Sequence, residues 1–210
     1  MTLPLRVRSV GRLFALVGAV VSVSACAPLL MTADEQAART VLDARHAALG
    51  PLSDWQAVGR LSVQSGEQAW HASLVWRQEA DSYRIRLLGP LGQGGVEIAG
   101  GPDEVSLRTG TGESYSAANP ETLMRQRLGW WAPLRGLRYW LLGLDDPDAG
   151  RARAQLDAEG RPASLTQDGW EVRYLAYLAG DPVPLPARVE LERDDLRAKV
   201  VVTRWELGGR

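Results

Sequence analysis

The chain has few of the side chains that carry enzyme chemistry, with one cysteine and two histidines among its 210 residues. His46 falls within a predicted helix, and His71 alternates with apolar neighbours in a predicted strand, so we expect structural or solvent-facing roles for both. Two histidines and acidic residues without ligand spacing do not make a metal centre. The sequence therefore predicts a protein that is not an enzyme, with no catalytic residue, no metal and no cofactor.

Positive charge is not in excess either, because the formal net charge is −1. Residues 1–25 contribute +3 through three arginines, which leaves −4 for the remaining 185 residues. A chain without a basic surplus is not expected to bind nucleic acid. The remaining length is typical of one domain with a sizeable core.

A long apolar run is also missing, since the run from Leu13 to Val23 is too short to span a bilayer. It follows a basic stretch and leads into Val23-Ser24-Ala25-Cys26, and this order is typical of a lipoprotein signal peptide. We therefore predict cleavage before Cys26 and lipidation of its thiol, the alternative being an ordinary secretory signal with a chance cysteine. The only cysteine of the chain is then unable to form a disulfide.

The predicted organisation is a signal peptide over residues 1–25, a lipidated tether over 26–33 and one folded domain over 34–210. Several acyl chains, at about 0.8 kcal/mol per buried CH2, anchor such a chain permanently. Ala27 follows the cysteine in place of the aspartate that commonly holds bacterial lipoproteins in the inner membrane. We therefore expect a lipid-anchored protein of the outer membrane that faces the periplasm.

Three helices are predicted, two from their caps and one from the spacing of its leucines. Thr32-Ala33-Asp34-Glu35 has the form of a capping box, and apolar residues follow at three-to-four spacing as far as Gly50-Pro51. Asn119-Pro120-Glu121 predicts a second helix that ends near Gly129. A third helix is expected to follow, with one side formed by Leu134, Leu137, Leu141 and Leu144.

Apolar and polar residues alternate in about ten or eleven segments separated by Gly or Asp turns, which is typical of an antiparallel meander. The first is Trp55 to Val63 and the last is Ala198 to Trp205. We predict an α+β fold, an incomplete, half-open antiparallel β-barrel of about 11 strands with an apolar cavity lidded by about three helices. A flat sheet with helices packed on one face fits the same pattern. Eight tryptophans against one phenylalanine suit cavity walls, because tryptophan offers a large apolar face.

The stretch from Gly89 to Gly95 is glycine-rich, but it lacks the Gly-Lys-Ser/Thr of a phosphate-binding loop and a strand follows it. It is predicted to be a hairpin loop. Leu91 is anomalous there, because polar residues are expected at a loop tip. Two interpretations remain open, a leucine folded back on the sheet or a leucine held out to touch another apolar phase such as a bilayer.

An ordered set of motifs runs through the chain after Cys26. In chain order they are Trp55-x3-Gly59-Arg60-Leu61, Trp70 with Trp76, Tyr83-x3-Leu87, Gly89-Pro90-Leu91-Gly92, Leu128-Gly129-Trp130 with Pro133, Tyr139-Trp140-Leu141-Leu142-Gly143, Gln167-x2-Trp170-x3-Tyr174, Leu185-Pro186 and Trp205. This set resembles the LolB family, the outer-membrane lipoprotein receptors of diderm bacteria. The resemblance covers essentially the whole mature chain and rests on the order of the motifs, since none is diagnostic alone.

The resemblance implies a monomer that takes the acyl chains of other lipoproteins from the soluble carrier LolA into an apolar cavity. It then places them in the inner leaflet of the outer membrane. In the family, an exposed leucine on a protruding loop is needed for insertion, and that loop corresponds to Gly89, Pro90, Leu91 and Gly92. Leu91 therefore takes this role, while Gly89 departs from the usual asparagine and puts the stiffness of the loop in doubt.

We expect the cavity to be lined by residues of the predicted strands and lidded by residues of the third helix. The wall positions are Trp70, Leu74, Trp76, Tyr83, Ile85, Leu87, Trp170, Val172 and Tyr174, and the lid positions are Leu137, Trp140 and Leu141. Each of these residues also fits a plain role in core packing. The alternative function is a lipid-anchored assembly or structural module of the outer membrane that binds a protein or peptide partner.

Overall fold

The structure is a computed structural model that describes residues 31–90 and 94–208. All of these belong to one compact unit, Met31–Arg210. Cys26, Leu91 and Gly92 lie outside the described residues, so lipidation of Cys26 and exposure of Leu91 stay predictions.

The described part of the chain contains three helices and eleven strands. The helices are α1 (Ala33–Leu49), α2 (Pro120–Leu128) and α3 (Leu134–Trp140). The strands are β1 (Asp54–Ser65), β2 (Gln68–Glu79), β3 (Ser82–Leu88), β4 (Val96–Gly100), β5 (Val105–Thr109), β6 (Ser114–Ala117), β7 (Arg153–Leu156), β8 (Pro162–Gln167), β9 (Trp170–Leu178), β10 (Leu185–Arg193) and β11 (Leu196–Leu207). Among the described helices, none combines the length and the apolar character needed to cross a bilayer.

All eleven strands form one antiparallel sheet in the order β6-β5-β4-β3-β2-β1-β11-β10-β9-β8-β7. The first strand and the last lie side by side at its centre, with Leu61 of β1 opposite Val200 of β11. The predicted single meander is therefore two meanders, β1 to β6 and β7 to β11, which are joined by the pairing of β1 with β11. β6 is not among the predicted strands, because Tyr115 is the only large apolar residue of this short edge strand.

The sheet is curled, and the flat alternative is wrong. Ile98 of β4 and Leu191 of β10 line the same small cavity. They stand five strands apart in the sheet, which is about 24 Å at 4.8 Å per strand if the sheet were flat. The sheet must therefore bend around the cavity, with α2 and α3 on its open side, which confirms the predicted half-open barrel.

The caps of the first two helices are confirmed. Thr32 accepts a hydrogen bond from the backbone N–H of Glu35 at 3.2 Å, and the Glu35 carboxylate accepts one from the N–H of Thr32 at 2.9 Å. Asn119 accepts a bond from the N–H of Thr122 at 2.8 Å, and Gly129 ends α2 with a φ of 75°. These short-range signals fix where the two helices begin.

The third helix is shorter than predicted, because it ends at Trp140 instead of continuing to Leu144. The next N–H groups, of Leu142 and Gly143, bond three residues back, to Tyr139 and Trp140. Gly143 then adopts a φ of 73°, and a Cβ there would lie 2.9 Å from a guanidinium nitrogen of Arg45. The glycine permits both the left-handed turn and the close approach of Arg45.

Gly59 of the Trp55-x3-Gly59-Arg60-Leu61 motif also has a backbone role. The register between β1 and β11 shifts between Val58 and Gly59, and a Cβ at Gly59 would lie 2.0 Å from the carbonyl oxygen of Val201. A side chain would therefore push apart the two central strands, through which the halves of the sheet are joined.

Candidate functional site

A cavity of about 50 Å³ lies between the concave face of the sheet and the segment that carries α2 and α3, and its wall is wholly apolar. The strands on both sides of the β1–β11 pair contribute to it, which is why its members are spread over the whole chain. Among the lining residues that sequence analysis did not select are Ile98, Met124, Trp130, Trp131, Leu191 and Val200.

Six of the twelve predicted cavity positions are brought together around this space. They are Leu74, Trp76, Ile85, Leu87, Leu137 and Leu141. The alternation of period two placed the first four correctly on the concave face, because successive strand side chains point to opposite faces. That any of them touches an acyl chain stays a prediction.

The other six predicted positions lie in the core beside the cavity. Trp140, Trp170, Val172 and Tyr174 are buried in the half formed by β7 to β10, while Trp70 and Tyr83 are half-buried against the core. The Tyr83 hydroxyl is buried without a hydrogen-bond partner among the described residues, and burial raises its pKa to about 12. Strand periodicity gives the face of each of these residues but not its distance from the cavity.

The tryptophans pack mainly against one another. Each of the eight has another tryptophan ring within 5.9 Å, centroid to centroid. One group joins Trp55, Trp76 and Trp205, a pair joins Trp70 and Trp130, and a third group joins Trp131, Trp140 and Trp170. The large rings therefore form three separate clusters, and each cluster contributes one ring to the cavity wall, Trp76, Trp130 and Trp131.

Arg45 fastens the end of α3 to α1. The guanidinium is buried and donates to the carbonyl oxygens of Leu142 at 2.6 Å, Gly143 at 3.2 Å and Pro184 at 3.1 Å. Carbonyls after a helix end have no partner within the helix, so this side chain satisfies groups that would otherwise be buried and unpaired. The sequence indicates the role of Arg45 in one way only, because this arginine stands where the three-to-four spacing of α1 calls for an apolar residue.

Gln167 fastens the same segment to β8. Its amide oxygen accepts from the indole N–H of Trp140 at 3.0 Å and from the N–H of Asp146 at 2.9 Å. Its amide nitrogen donates to the carbonyls of Asp146 at 2.8 Å and Gly150 at 2.7 Å. The Gln167-x2-Trp170-x3-Tyr174 motif is completed by Tyr174, whose hydroxyl donates to the Trp140 carbonyl at 3.0 Å. This motif therefore holds the end of α3 in place.

The acidic run from Asp145 to Asp148 is only partly exposed to solvent. Asp145 is buried and accepts hydrogen bonds from Arg39 at 2.7 Å and from His46 at 2.8 Å, both on α1. His46 is therefore a structural residue. Exposed His71 contacts Ser62 at 2.9 Å. Among the described residues, no cluster of His, Cys, Asp or Glu has the grouping needed to hold a metal ion.

Asp145→Asn is expected to lower the free energy of unfolding by about 2 kcal/mol at neutral pH. Burial raises the pKa of Asp145, but the hydrogen bonds from His46 and Arg39 outweigh it and lower the pKa to about 2. A depressed folded-state pKa stabilises the fold above the ordinary pKa near 3.8, and this contribution is lost as the pH falls towards 2. Urea unfolding at several pH values between 7 and 3 measures the difference.

Asp148→Asn is the matched control, since Asp148 lies in the same turn with its side chain 64% exposed. We expect it to change the stability by a few tenths of a kcal/mol at most, at every pH. A pH-independent loss for Asp145→Asn would show that the contribution of Asp145 does not depend on its charge.

The hairpin between β3 and β4 leaves the sheet at Leu88. Gly89 is half-buried and Pro90 is exposed, whereas Leu91 and Gly92 fall in the gap of the described ranges. Leu88 itself is 47% exposed, which is unusual for a large apolar side chain in this fold. The predicted insertion loop therefore begins from an exposed apolar residue that sequence analysis did not select.

Comparison with known proteins gives one consistent family. The sequence profile described as "Outer membrane lipoprotein LolB" matches residues 53–205. The outer-membrane lipoprotein LolB of Nitrosococcus oceani is 38% identical over 197 residues, covering 94% of this chain and 98% of that protein. The LolB of Alkalilimnicola ehrlichii is also 38% identical over 197 residues, covering 94% of this chain and 98% of that protein.

Among solved structures, a LolA superfamily protein from Nitrosomonas europaea is similar with a TM-score of 0.52. The similarity covers 82% of this chain and 94% of that one at 9% sequence identity. At that identity the comparison shows a common fold, an open antiparallel sheet with helices on its concave side.

Proposed function

Because the chain belongs to the LolB family of outer-membrane lipoproteins, we propose that it receives lipoproteins from the periplasmic carrier LolA and inserts their acyl chains into the outer membrane. The observation that carries the proposal is the wholly apolar cavity between the curled sheet and the helices. Acyl chains have no hydrogen-bonding groups along their length, so a wall without polar atoms suits them.

The transfer needs neither a nucleotide nor a covalent step by this protein. Each CH2 group removed from water contributes about 0.8 kcal/mol, so chains move towards the environment that buries them best. Exposing two or three chains to water between carrier and receptor would cost tens of kcal/mol on the same scale. The two cavities must therefore meet directly during the handover.

The described conformation is closed, since about 50 Å³ is room for one or two water molecules and not for an acyl chain. The end of α3 is held by Arg45 and Gln167, whereas α2 and the Trp130–Ala132 segment are held mainly by apolar and aromatic packing. Loading therefore moves α2 and this segment away from the sheet, while the end of α3 stays attached.

The proposal includes the membrane attachment. Removal of residues 1–25 would leave Cys26 as the lipidated N-terminus, and a tether of a few residues would lead to the cap of α1 at Thr32. Leu91, which the sequence predicts at the tip of the loop after β3, would enter the bilayer during release. We further propose that the protein acts as a monomer.

The test is a handover in solution. LolA loaded with an acylated lipoprotein is mixed with residues 26–210 carrying Cys26→Ala, which retain the compact unit Met31–Arg210. We expect the cargo to be pulled down with this protein, and tryptophan fluorescence to change because Trp76, Trp130 and Trp131 line the cavity.

The matched control is the same cargo with its acylated cysteine replaced by serine. Transfer of acylated cargo alone supports acyl-chain binding. Equal capture of both forms favours the alternative, a module that binds protein or peptide. Cargo that stays on a carrier able to load an established LolB would overturn the proposal.

A further inference from the structure

The outer face of the β1–β5 half of the sheet carries a surplus of positive charge. It carries five arginines, Arg60, Arg77, Arg84, Arg86 and Arg108, against three acidic residues, Asp54, Glu79 and Glu97. This surplus is local, because the formal charge of the whole chain is −1. Such a face attracts anions within about 8 Å at physiological salt.

Three of these arginines have no acidic partner. Arg77 pairs with Glu79 at 2.6 Å and Arg86 with Glu97 at 2.9 Å. Within residues 31–90 and 94–208, no ion pair is formed by Arg60, Arg84 or Arg108. Arg77 and Arg84 also stand directly opposite each other on β2 and β3, an arrangement that destabilises an isolated sheet.

The outer face of β9–β11 shows the contrast, because most of its cations are paired with glutamates. Arg173 pairs with Glu190 at 3.3 Å, Lys199 with Glu190 at 2.7 Å and Arg197 with Glu192 at 3.0 Å. On this face Arg188 is the one cation for which the described residues form no ion pair, against three such arginines on β1–β5.

Leu88 marks the end of this basic face. Its neighbour across β2 is Ser73, and Ser73 lies beside Arg60 of β1, so Leu88 and Arg60 share one row. Arg86, Glu97 and Arg108 form the next row, two residues or about 7 Å further from the hairpin. Leu88, whose side chain is 47% exposed, thus lies in the part of the face that carries Arg60, Arg86 and Arg108.

We infer that this surface, Leu88 with Arg60, Arg86 and Arg108, rests on the bilayer and binds the phosphates of anionic phospholipids. The headgroup layer on each side of a bilayer is about 6 Å thick. With Leu88 at the edge of the hydrocarbon, Arg60, Arg86 and Arg108 reach the phosphates, and guanidinium groups bind phosphate oxygens in pairs.

The occupant is the membrane because of where the chain is attached. A lipidated Cys26 is separated from Thr32 by a tether whose full extension is about 25 Å, so the domain cannot leave the bilayer surface. The inference rests on the proposed delivery to the outer membrane and adds the surface that orients the protein there.

The test compares two triple variants that change the net charge equally. Residues 26–210 with Cys26→Ala are mixed, without cargo, with vesicles of phosphatidylcholine alone or with one quarter phosphatidylglycerol. Arg60→Gln, Arg86→Gln and Arg108→Gln together are expected to lower binding to the anionic vesicles about 25-fold, at about fivefold for each of Arg60 and Arg108, the two that have no acidic partner. Binding to neutral vesicles is expected to stay unchanged.

Arg173→Gln, Arg197→Gln and Lys199→Gln together form the matched control on the outer face of β9–β11. We expect this variant to bind anionic vesicles within about threefold of the parent, since these cations already have acidic partners. Equal losses in both variants, or no loss in the first, would overturn the inference.

Handover from LolA without vesicles separates this inference from the proposed function. Both triple variants are expected to accept cargo normally. If the first variant loses cargo acceptance but keeps vesicle binding, the basic face docks the carrier, and the membrane inference is wrong although the receptor function stands. If the parent protein accepts no cargo, the proposed function is wrong. The vesicle measurement then still decides whether the basic face binds anionic membranes.

Discussion

Leu91→Glu is expected to lower delivery of lipoproteins into membranes about 100-fold, while the folding of the protein and its acceptance of cargo from LolA stay unchanged. A carboxylate that must enter hydrocarbon costs about 3 kcal/mol, which corresponds to this factor. The measurement is the amount of cargo that moves from loaded protein to phospholipid vesicles per unit time, after loading has been quantified in solution.

Leu91→Phe is the control, because it keeps an apolar side chain at the loop tip. We expect delivery within a fewfold of the parent. Loss of cargo acceptance together with delivery in Leu91→Glu would mean that this leucine packs in the core, the first of the two interpretations that the sequence leaves open. Unchanged delivery in Leu91→Glu would remove Leu91 from the insertion step.

Arg45→Met is expected to give the largest loss of stability, about 3 kcal/mol, with a fall in melting temperature of about 10 °C. The substitution keeps helix propensity and an apolar stem. It leaves the carbonyls of Leu142 and Gly143, both within hydrogen-bond distance of the guanidinium, without their donor. Urea unfolding at neutral pH and thermal unfolding followed by circular dichroism measure the effect.

Arg45→Lys is the matched variant, since it retains the charge but lacks the planar fork that reaches several carbonyls at once. We expect a loss intermediate between the parent and Arg45→Met. If Arg45→Met is as stable as the parent, other donors satisfy these carbonyls, and Arg45 is not what fastens the end of α3 to α1.

The separation of Arg45 from its acceptors explains why sequence analysis missed it. They lie 97 to 139 residues further along the chain, and no local pattern reports such a distance. The same holds for Gln167, whose four bonds all reach the segment from Trp140 to Gly150. Both residues are polar side chains at buried positions, which is the only signal that Arg45 gives, whereas Gln167 also belongs to the Gln167-x2-Trp170-x3-Tyr174 motif.

Only half of the predicted cavity positions line the cavity, because strand periodicity is also a local pattern. The period-two pattern assigned Leu74, Trp76, Ile85 and Leu87 to the concave face, and the face is what periodicity encodes. Trp170, Val172 and Tyr174 have the same alternation but lie under the end of α3, where Trp140 fills the space. How far a strand lies from the cavity depends on the curl of the whole sheet.

The sequence by itself determined the features that depend on a few neighbouring residues, which are the caps at Thr32 and Asn119 and the strand alternation, and its order of motifs determined the family. The tertiary structure alone decided the curl of the sheet, the burial of Asp145, the end of α3 at Trp140 and the closed state of the cavity. Caps and alternation depend on neighbouring residues, whereas curl and closure depend on contacts between segments about 100 residues apart, such as that of Arg45 with Leu142.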